Sequence, residues 1–243
     1  MKNISKDTKV SVIGFEGPNR VGKGTQIERL SQYLDERSIP FIVVRGSGSR
    51  HASGTHIGDP LSPWWFRINQ LLKTTANLDI WQLSANRLAR EFILWRDYYF
   101  PQILKRKKAR HGFILVDRTI LSLFMILRET GIMDWDKLYP EKVRSLGRKV
   151  TGDMVCPEII INLVAQKDVL FSRLDPSDPK HDFRKLLIET KSHWFLDTPP
   201  MLPRHIQRKI YTINAADSAG IVFEHILETL MGNESIAEVL QPK

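Results

Sequence analysis

The sequence predicts an α/β fold in which a five-stranded parallel sheet is covered by helices on both faces. Three observations predict it. Short apolar runs alternate with helical patterns along the chain. The first run, at residues 10–15, is followed by a glycine-rich loop and then by a helical pattern, and a later run at 113–116 ends on Asp117. Strands that alternate with helices favour a parallel, helix-covered sheet.

Each element has its own local signal. The five strands are expected at residues 10–15, 41–44, 113–117, 157–164 and 210–213. Helices are expected at residues 25–37, 61–73, 77–108, 119–128, 167–174, 183–195 and 218–231. The helix at 77–108 has the strongest amphipathic stripe, from Trp81 to Tyr99, and Pro101 is expected to kink or split it. A helix that is apolar on more than one side is either central or packed on a partner chain.

Length and composition favour a single domain over residues 1–243, with tails at 1–9 and 233–243 and a small candidate lid at 174–182. The chain has 243 residues, of which 42% are hydrophobic and 26% are charged. Such a length can bury a full core. One cysteine, Cys156, excludes an internal disulfide framework. The polar loop before residue 183 has the composition of a closing lid, which is also that of any exposed loop.

Charge and hydropathy limit the possible partners. The formal net charge of +9 suggests anionic partners, either nucleotides or nucleic acid. The densest basic run, residues 105–111, is expected to be a solvated helix end, so nucleic acid is not an expected partner. No apolar run reaches about 18 residues, so no membrane span is expected. The polar start of the chain lacks the apolar core of a signal peptide, which favours a cytoplasmic protein.

The pattern G-x-x-x-x-G-K after the first strand predicts a phosphate-binding loop. Its glycines allow a tight turn in which successive amides point inward, and the next helix directs its positive end to the same place. Lys23 adds a charge that reaches the β- and γ-phosphates of a nucleoside triphosphate. The residues expected to bind ATP are Gly17, Pro18, Asn19, Arg20, Val21, Gly22, Lys23, Gly24 and Thr25.

Two residues are expected to serve Mg²⁺. Asp117 ends a strand of four apolar residues, which is the Walker B pattern, and beside a phosphate loop it can hold a water on the metal. The hydroxyl usually found directly after the lysine is missing, because Gly24 stands there and Thr25 follows one position later. Either Thr25 contributes indirectly, or phosphates and waters hold the metal.

At this point the chain resembles the thymidylate kinase family of P-loop nucleoside monophosphate kinases. Residues 15–26 resemble the family's F-E-G-x-D-R-x-G-K-x-T-Q, and residues 83–87 resemble its L-F-x-A-N-R. Residues 117–119 with Ser122 resemble its D-R-Y-x-x-S, and residues 157–158 resemble the P-D before its fourth strand. Together with weaker similarities, such as Arg45, these motifs span about residues 10 to 230.

The resemblance implies transfer of the γ-phosphoryl group of ATP, with Mg²⁺, to a nucleoside monophosphate. The implied catalytic residues are Lys23, Arg20, Asp117 and Arg118, and Arg20 would bridge the donor and acceptor phosphates. The implied acceptor-binding residues are Asn19, Arg45, Leu83, Arg87 and Arg118. Arg45 and Arg118 would hold the acceptor phosphate and Arg87 would face the base. The resemblance also implies a homodimer formed through the long helices, and a place in dTTP biosynthesis.

Departures from the family pattern leave the acceptor open. Asn19 stands where the family has an aspartate, and Leu83 stands where it has an aromatic residue. Leu123 and Ile126 replace a more polar or aromatic pair. The expected acceptor is dTMP. The alternatives are another or modified deoxynucleotide, a nucleoside, or a P-loop switch that associates with nucleic acid and turns over no small molecule.

Overall fold

A computed structural model describes residues 8–45, 95–119, 121–122, 144–145, 148–149 and 156–241. The strands are β1 (Lys9–Glu16), β2 (Phe41–Arg45), β3 (His111–Asp117), β4 (Arg144–Ser145), β5 (Arg148–Lys149), β6 (Ile159–Val164) and β7 (Ile210–Asn214). The α-helices are α1 (Lys23–Glu36), α2 (Phe100–Arg106), α3 (Lys167–Ser172), α4 (His181–Lys191), α5 (Trp194–Asp197), α6 (Arg204–Gln207), α7 (Ala219–Met231) and α8 (Glu234–Leu240). A π-helix at Trp95–Tyr99 and a 3₁₀ turn at Pro199–Met201 complete the described elements.

The main sheet confirms the predicted fold class. Five strands pair in the order β2-β3-β1-β6-β7, and every pairing is parallel. The carboxyl ends of β1, β2 and β3 therefore lie at one edge of the sheet, where Asp117 stands opposite both Phe15 and Arg45 in the register. Ligands of open α/β sheets bind at this edge. The short β4 and β5 form a separate antiparallel pair, which the sequence pattern does not predict.

Helices cover both faces of the sheet because the central strand is apolar on both sides. Along β1, Val12 packs with Phe100 and Leu104 of α2 on one face. Its neighbour Ile13 packs on the other face with apolar residues of α1, α7 and α8. Val12 and Ile13 are both fully buried, as the central strand of a parallel sheet requires.

Some boundaries differ from the predicted ones. The helix after the phosphate-binding loop begins at Lys23 rather than residue 25. Pro101 lies in the first turn of α2, directly after the π-helix, and the two segments are contiguous, so the helical hydrogen-bond pattern changes there without a non-helical residue between them. The predicted kink or split at Pro101 stays a prediction. The predicted helix at 183–195 is two helices, α4 and α5. The predicted helix at 61–73, the part of the predicted helix at 77–108 that precedes residue 95, and most of the predicted helix at 119–128 lie outside the described residues.

The predicted tail at 233–243 instead contains helix α8. Ile236 and Leu240 are fully buried in the core cluster of α1 and α7. Lys9 at the start of β1 donates from Nζ to the carbonyl of Ser235 at 3.0 Å. A segment of seven residues has too few turns for periodicity to stand out, so only its packing against the domain reveals the helix.

Candidate active site

The glycine-rich loop between β1 and α1 takes the conformation that its glycines allow. Gly17 has φ +138° and Gly22 has φ +104°, both in the region that favours glycine. A Cβ on Gly17 would lie 2.3 Å from the carbonyl oxygen of Leu163 in β6. The loop therefore needs glycine at position 17 both for its backbone angle and for its closeness to the sheet.

Lys23 is buried beneath this loop. Its Nζ donates to the carbonyls of Gly17 and Pro18 at 2.7 and 2.9 Å. Burial lowers the pKa of Lys23 to about 7, and the positive charge of Arg118 acts in the same direction, against the carboxylates of Asp117 and Glu16. The ammonium thus lies in an environment where an added anion would strongly favour its charged form.

Asp117 ends β3 beside Lys23, in the predicted position. Its Oδ1 is buried and has no hydrogen-bond partner among the described residues. A buried carboxylate oxygen without a partner is costly unless it binds a ligand, and carboxylate is a preferred ligand of Mg²⁺ and of its bound waters. Thr25 is exposed and lines the same cleft. These two residues fit a hydrated divalent cation.

Arg118 follows Asp117 in a tight turn with φ +73°. Its guanidinium donates to Ser122 Oγ at 3.2 Å and to Asn19 Oδ1 at 3.1 Å. Both acceptors are neutral, and within the described ranges Arg118 makes no ion pair. Its charge is therefore available for an anion.

Glu16 fixes the turn that carries Arg118, a role the sequence pattern did not reveal. Its carboxylate is fully buried and accepts from Thr119 N and Oγ1 at 2.5 and 2.8 Å. It also accepts from Ser122 N and Oγ at 3.0 and 2.6 Å. Burial raises the pKa of Glu16, opposed by the Arg118 charge and by these hydrogen bonds. The only sequence signal for Glu16 was its place in the loop motif.

One cleft of about 660 Å³ joins these groups. Its lining includes the predicted residues Asn19, Arg20, Val21, Gly22, Lys23, Gly24, Thr25, Asp117 and Arg118. It also includes Gln26, the last residue of the loop motif, and residues that were not among the predicted site residues, namely Arg173, Ala215, Asp217, Ser218, Ala219 and Val222.

Arg173 connects the loop to the opposite wall of the cleft. Its guanidinium donates to the carbonyl of Val21 at 3.2 Å and to that of Ala215 at 2.8 Å. It follows a short helix with no motif around it, so no local pattern could have indicated it. These two bonds hold the loop against the segment between β7 and α7.

The remaining predicted site residues are only partly described. Gly17 and Pro18 belong to the loop and provide the carbonyls that accept from Lys23. Arg45 ends β2 in register with Asp117. Leu83, Arg87, Leu123 and Ile126 lie outside the described residues, so their proximity to the cleft remains a prediction.

Comparison with known proteins finds thymidylate kinases among those similar in sequence to this chain. No protein-family model matches the chain. A thymidylate kinase of Fervidobacterium nodosum is 27% identical over 165 residues, which cover 67% of this chain and 70% of that protein. A thymidylate kinase of Bifidobacterium longum subsp. infantis is 24% identical over 231 residues, covering 93% of this chain and 89% of its own length.

The chain is similar in sequence to these thymidylate kinases over two thirds or more of its length. Its fold agrees with that of a solved deoxyadenosine kinase of M. mycoides, with a TM-score of 0.53. That structure is 14% identical in sequence, and the match covers 91% of this chain and all of the other chain. At such low identity the likeness supports the fold and says nothing about the acceptor.

Proposed function

We propose that this protein is a P-loop kinase that transfers the γ-phosphoryl group of ATP to dTMP and releases ADP and the nucleoside diphosphate. The observation that supports the proposal most is that the phosphate-binding loop and Arg118 line one cleft. Phosphoryl transfer needs a donor and an acceptor phosphate in line, with positive charge around the transferred group. Lys23 and Arg20 provide charge on the donor side, and Arg118 provides it on the other side.

The donor would lie along the amino end of α1. The loop amides and Lys23 would bind the triphosphate, because burial makes the charged form of Lys23 costly until an anion neutralises it. The nucleoside of ATP would extend toward Arg173 and the segment at 215–219, which form the far wall of the cleft. An arginine side chain can stack on a base as well as contact phosphate.

The acceptor phosphate would bind to Arg118, whose hydrogen-bond partners are neutral and whose guanidinium makes no ion pair within the described ranges. Arg45 would add a second cation from the neighbouring strand end. Arg87 and Leu83 are proposed to contact the acceptor base. Asn19 would contribute a neutral contact near the acceptor while it holds Arg118 at 3.1 Å. Bidentate contact with phosphate explains why arginine suits the two phosphate positions.

The metal proposed for this reaction is Mg²⁺. Asp117 would hold it through water, with Thr25 nearby, because the buried Oδ1 of Asp117 lacks a partner in the part of the chain that is described. When bound, such a cation neutralises charge that develops on the β- and γ-phosphates. The residues of the chain then orient the phosphates and exclude water.

The proposal includes a homodimer formed through the long helical region before β3, and a cytoplasmic location. Both rest on the resemblance of the sequence motifs to the thymidylate kinase family. No helix among the described residues combines the length and the apolar character that a membrane span needs. Nucleic acid is not a proposed partner. The proposed place of the reaction is the supply of a deoxynucleoside diphosphate for dTTP synthesis.

The test is ADP release from ATP and Mg²⁺ by the purified protein, with a panel of ribo- and deoxynucleoside monophosphates and nucleosides. We expect the strongest stimulation by dTMP, and little from the Lys23→Ala variant, which should remain folded by circular dichroism. Stimulation by a different monophosphate or by a nucleoside would change the identity of the acceptor, while the reaction would still be phosphoryl transfer from ATP. Binding of ATP without stimulation by any acceptor would contradict the proposal and favour a nucleotide-binding switch.

A further inference from the structure

The loop before α4 contacts the phosphate-binding loop through one carboxylate. Asp178 Oδ2 accepts from Arg20 Nη2 at 3.0 Å. The same oxygen accepts from Arg184 of α4, and Asp178 Oδ1 accepts from the Lys180 amide at 2.9 Å. Only 18% of the Asp178 side chain is exposed. Both carboxylate oxygens are therefore held, and Asp178 offers Arg20 a fixed partner rather than a mobile surface charge.

Arg20 is the residue that needs such a partner. Its backbone is left-handed, with φ +66°, a conformation that is unfavourable for a residue other than glycine. Strain of this kind persists where the surrounding structure holds the residue in place. Within the described ranges its Nε and Nη1 make no hydrogen bond, and the side chain lines the cleft. Arg20 can thus keep Asp178 on Nη2 and still present two nitrogens to phosphate oxygens.

We propose that Asp178 is a positioning residue, which orients Arg20 toward the transferring phosphoryl group while Arg184 holds Asp178 in place. This inference rests on the proposed function, and it adds a residue outside the motifs. A guanidinium on a flexible stem loses side-chain entropy when it binds phosphate, and a partner that orients it beforehand reduces that loss. The proposal also gives the candidate lid a defined contact with the reaction centre.

The ionisation of Asp178 agrees with this role. Its pKa lies below the ordinary value because the Lys180 amide, and then the Arg184 and Arg20 guanidiniums, stabilise the carboxylate. The carboxylate is therefore charged throughout the neutral range, and an amide in its place would remove the ion pair with little change in shape. Asp175 provides a control in the same loop. Its Oδ1 accepts from Ser177, at 2.9 and 2.7 Å from N and Oγ, and within the described ranges it makes no hydrogen bond or ion pair with Arg20, so its charge acts on Arg20 only through space.

The experiment is a double-mutant cycle with Asp178→Asn and Arg20→Ala, using dTMP or whichever acceptor the panel identifies. We expect Asp178→Asn to lower kcat about 10- to 100-fold, with a change in acceptor KM of less than about threefold, because a misplaced charge affects the transition state more than binding. In the Arg20→Ala background, Asp178→Asn should change kcat less than about twofold, because its effect passes through Arg20. Asp175→Asn should stay within about twofold of the unmodified protein.

A second arm uses binding only, so that it decides the proposal even if no acceptor is turned over. Calorimetric titration would compare ATP with ADP, which lacks the phosphate that Arg20 is proposed to contact. We expect Asp178→Asn to weaken the binding of ATP about fivefold and the binding of ADP less than about twofold. In the Arg20→Ala background, it should weaken the binding of neither nucleotide. Independent effects of the two substitutions, an increase of kcat on Asp178→Asn, or an equal loss on Asp175→Asn would overturn the proposal. Failure of the proposed function would instead show as an unmodified protein that no acceptor stimulates.

Discussion

Replacement of Glu16 by alanine tests whether this buried carboxylate organises the active-site turn. The carboxylate is fully buried and accepts hydrogen bonds from the backbone amides and the hydroxyls of Thr119 and Ser122. Alanine would leave all four donors without this acceptor. The two hydroxyls can rotate about their C–O bonds and direct their hydrogens elsewhere. The two amides cannot rotate in this way.

The magnitude follows from those two amides. A buried donor that loses its acceptor costs about 1–3 kcal/mol, so Glu16→Ala should lower the free energy of unfolding by about 2–6 kcal/mol. Glu16→Gln is the matched control. Its carbonyl oxygen can still accept the three bonds made to Oε1, and its amide can donate to Ser122 Oγ in place of the fourth. We therefore expect Glu16→Gln to lower the free energy of unfolding by less than about 1.5 kcal/mol.

Urea unfolding followed by circular dichroism measures the free energy of unfolding of both variants. The comparison requires that the dependence of this free energy on urea concentration is similar in the two variants. The same variants report on Arg118, because Ser122 bonds to both Glu16 and Arg118. Glu16→Ala should raise the acceptor KM more than it changes the affinity for ATP. The reasoning is refuted if Glu16→Ala lies within about 1 kcal/mol of the unmodified protein, or if Gln and Ala are equally destabilising.

Three further predictions concern the cleft. Arg118→Ala should lower kcat/KM for the acceptor on the order of 100-fold while the calorimetric ATP affinity changes less than about threefold, and an equal loss of both would argue against an acceptor role. Gly17→Ala should lower the free energy of unfolding in urea by about 2 kcal/mol or more, because its Cβ would lie 2.3 Å from the Leu163 carbonyl oxygen. Gly24→Ala is the control. No atom lies within 4 Å of its added Cβ, so it should change the free energy of unfolding by less than about 1 kcal/mol. The pKa of Lys23 is lowered to about 7 by burial. Bound phosphate favours the charged form and so raises this pKa, and ATP binding near about pH 8 should therefore take up a proton and weaken as the pH rises. Calorimetry in buffers of different ionisation enthalpy measures that proton uptake. Lys23→Met should abolish it.

The sequence could predict those parts of the fold that have a local cause. Apolar runs predicted all five strands of the main sheet. A central strand such as β1 is buried on both faces and must be apolar throughout, whereas the edge strand β7 has a single buried residue, Ile213. The loop motif placed Gly17 and Gly22 where the backbone takes positive φ. The apolar run before Asp117 placed that carboxylate at the edge of the sheet where Arg45 and the end of β1 also lie.

Tertiary structure alone brings together residues whose contacts have no fixed spacing. Glu16 bonds to Ser122, which lies 106 positions away, and Arg20 bonds to Asp178, which lies 158 positions away. No period or motif encodes such pairs, because each side chain finds its partner only when crossover helices have set the strand order. Arg173 and helix α8 were missed for the same reason. The sequence by itself thus determined the phosphate-binding loop and the sheet around it, while long-range packing decided which buried charges orient that loop.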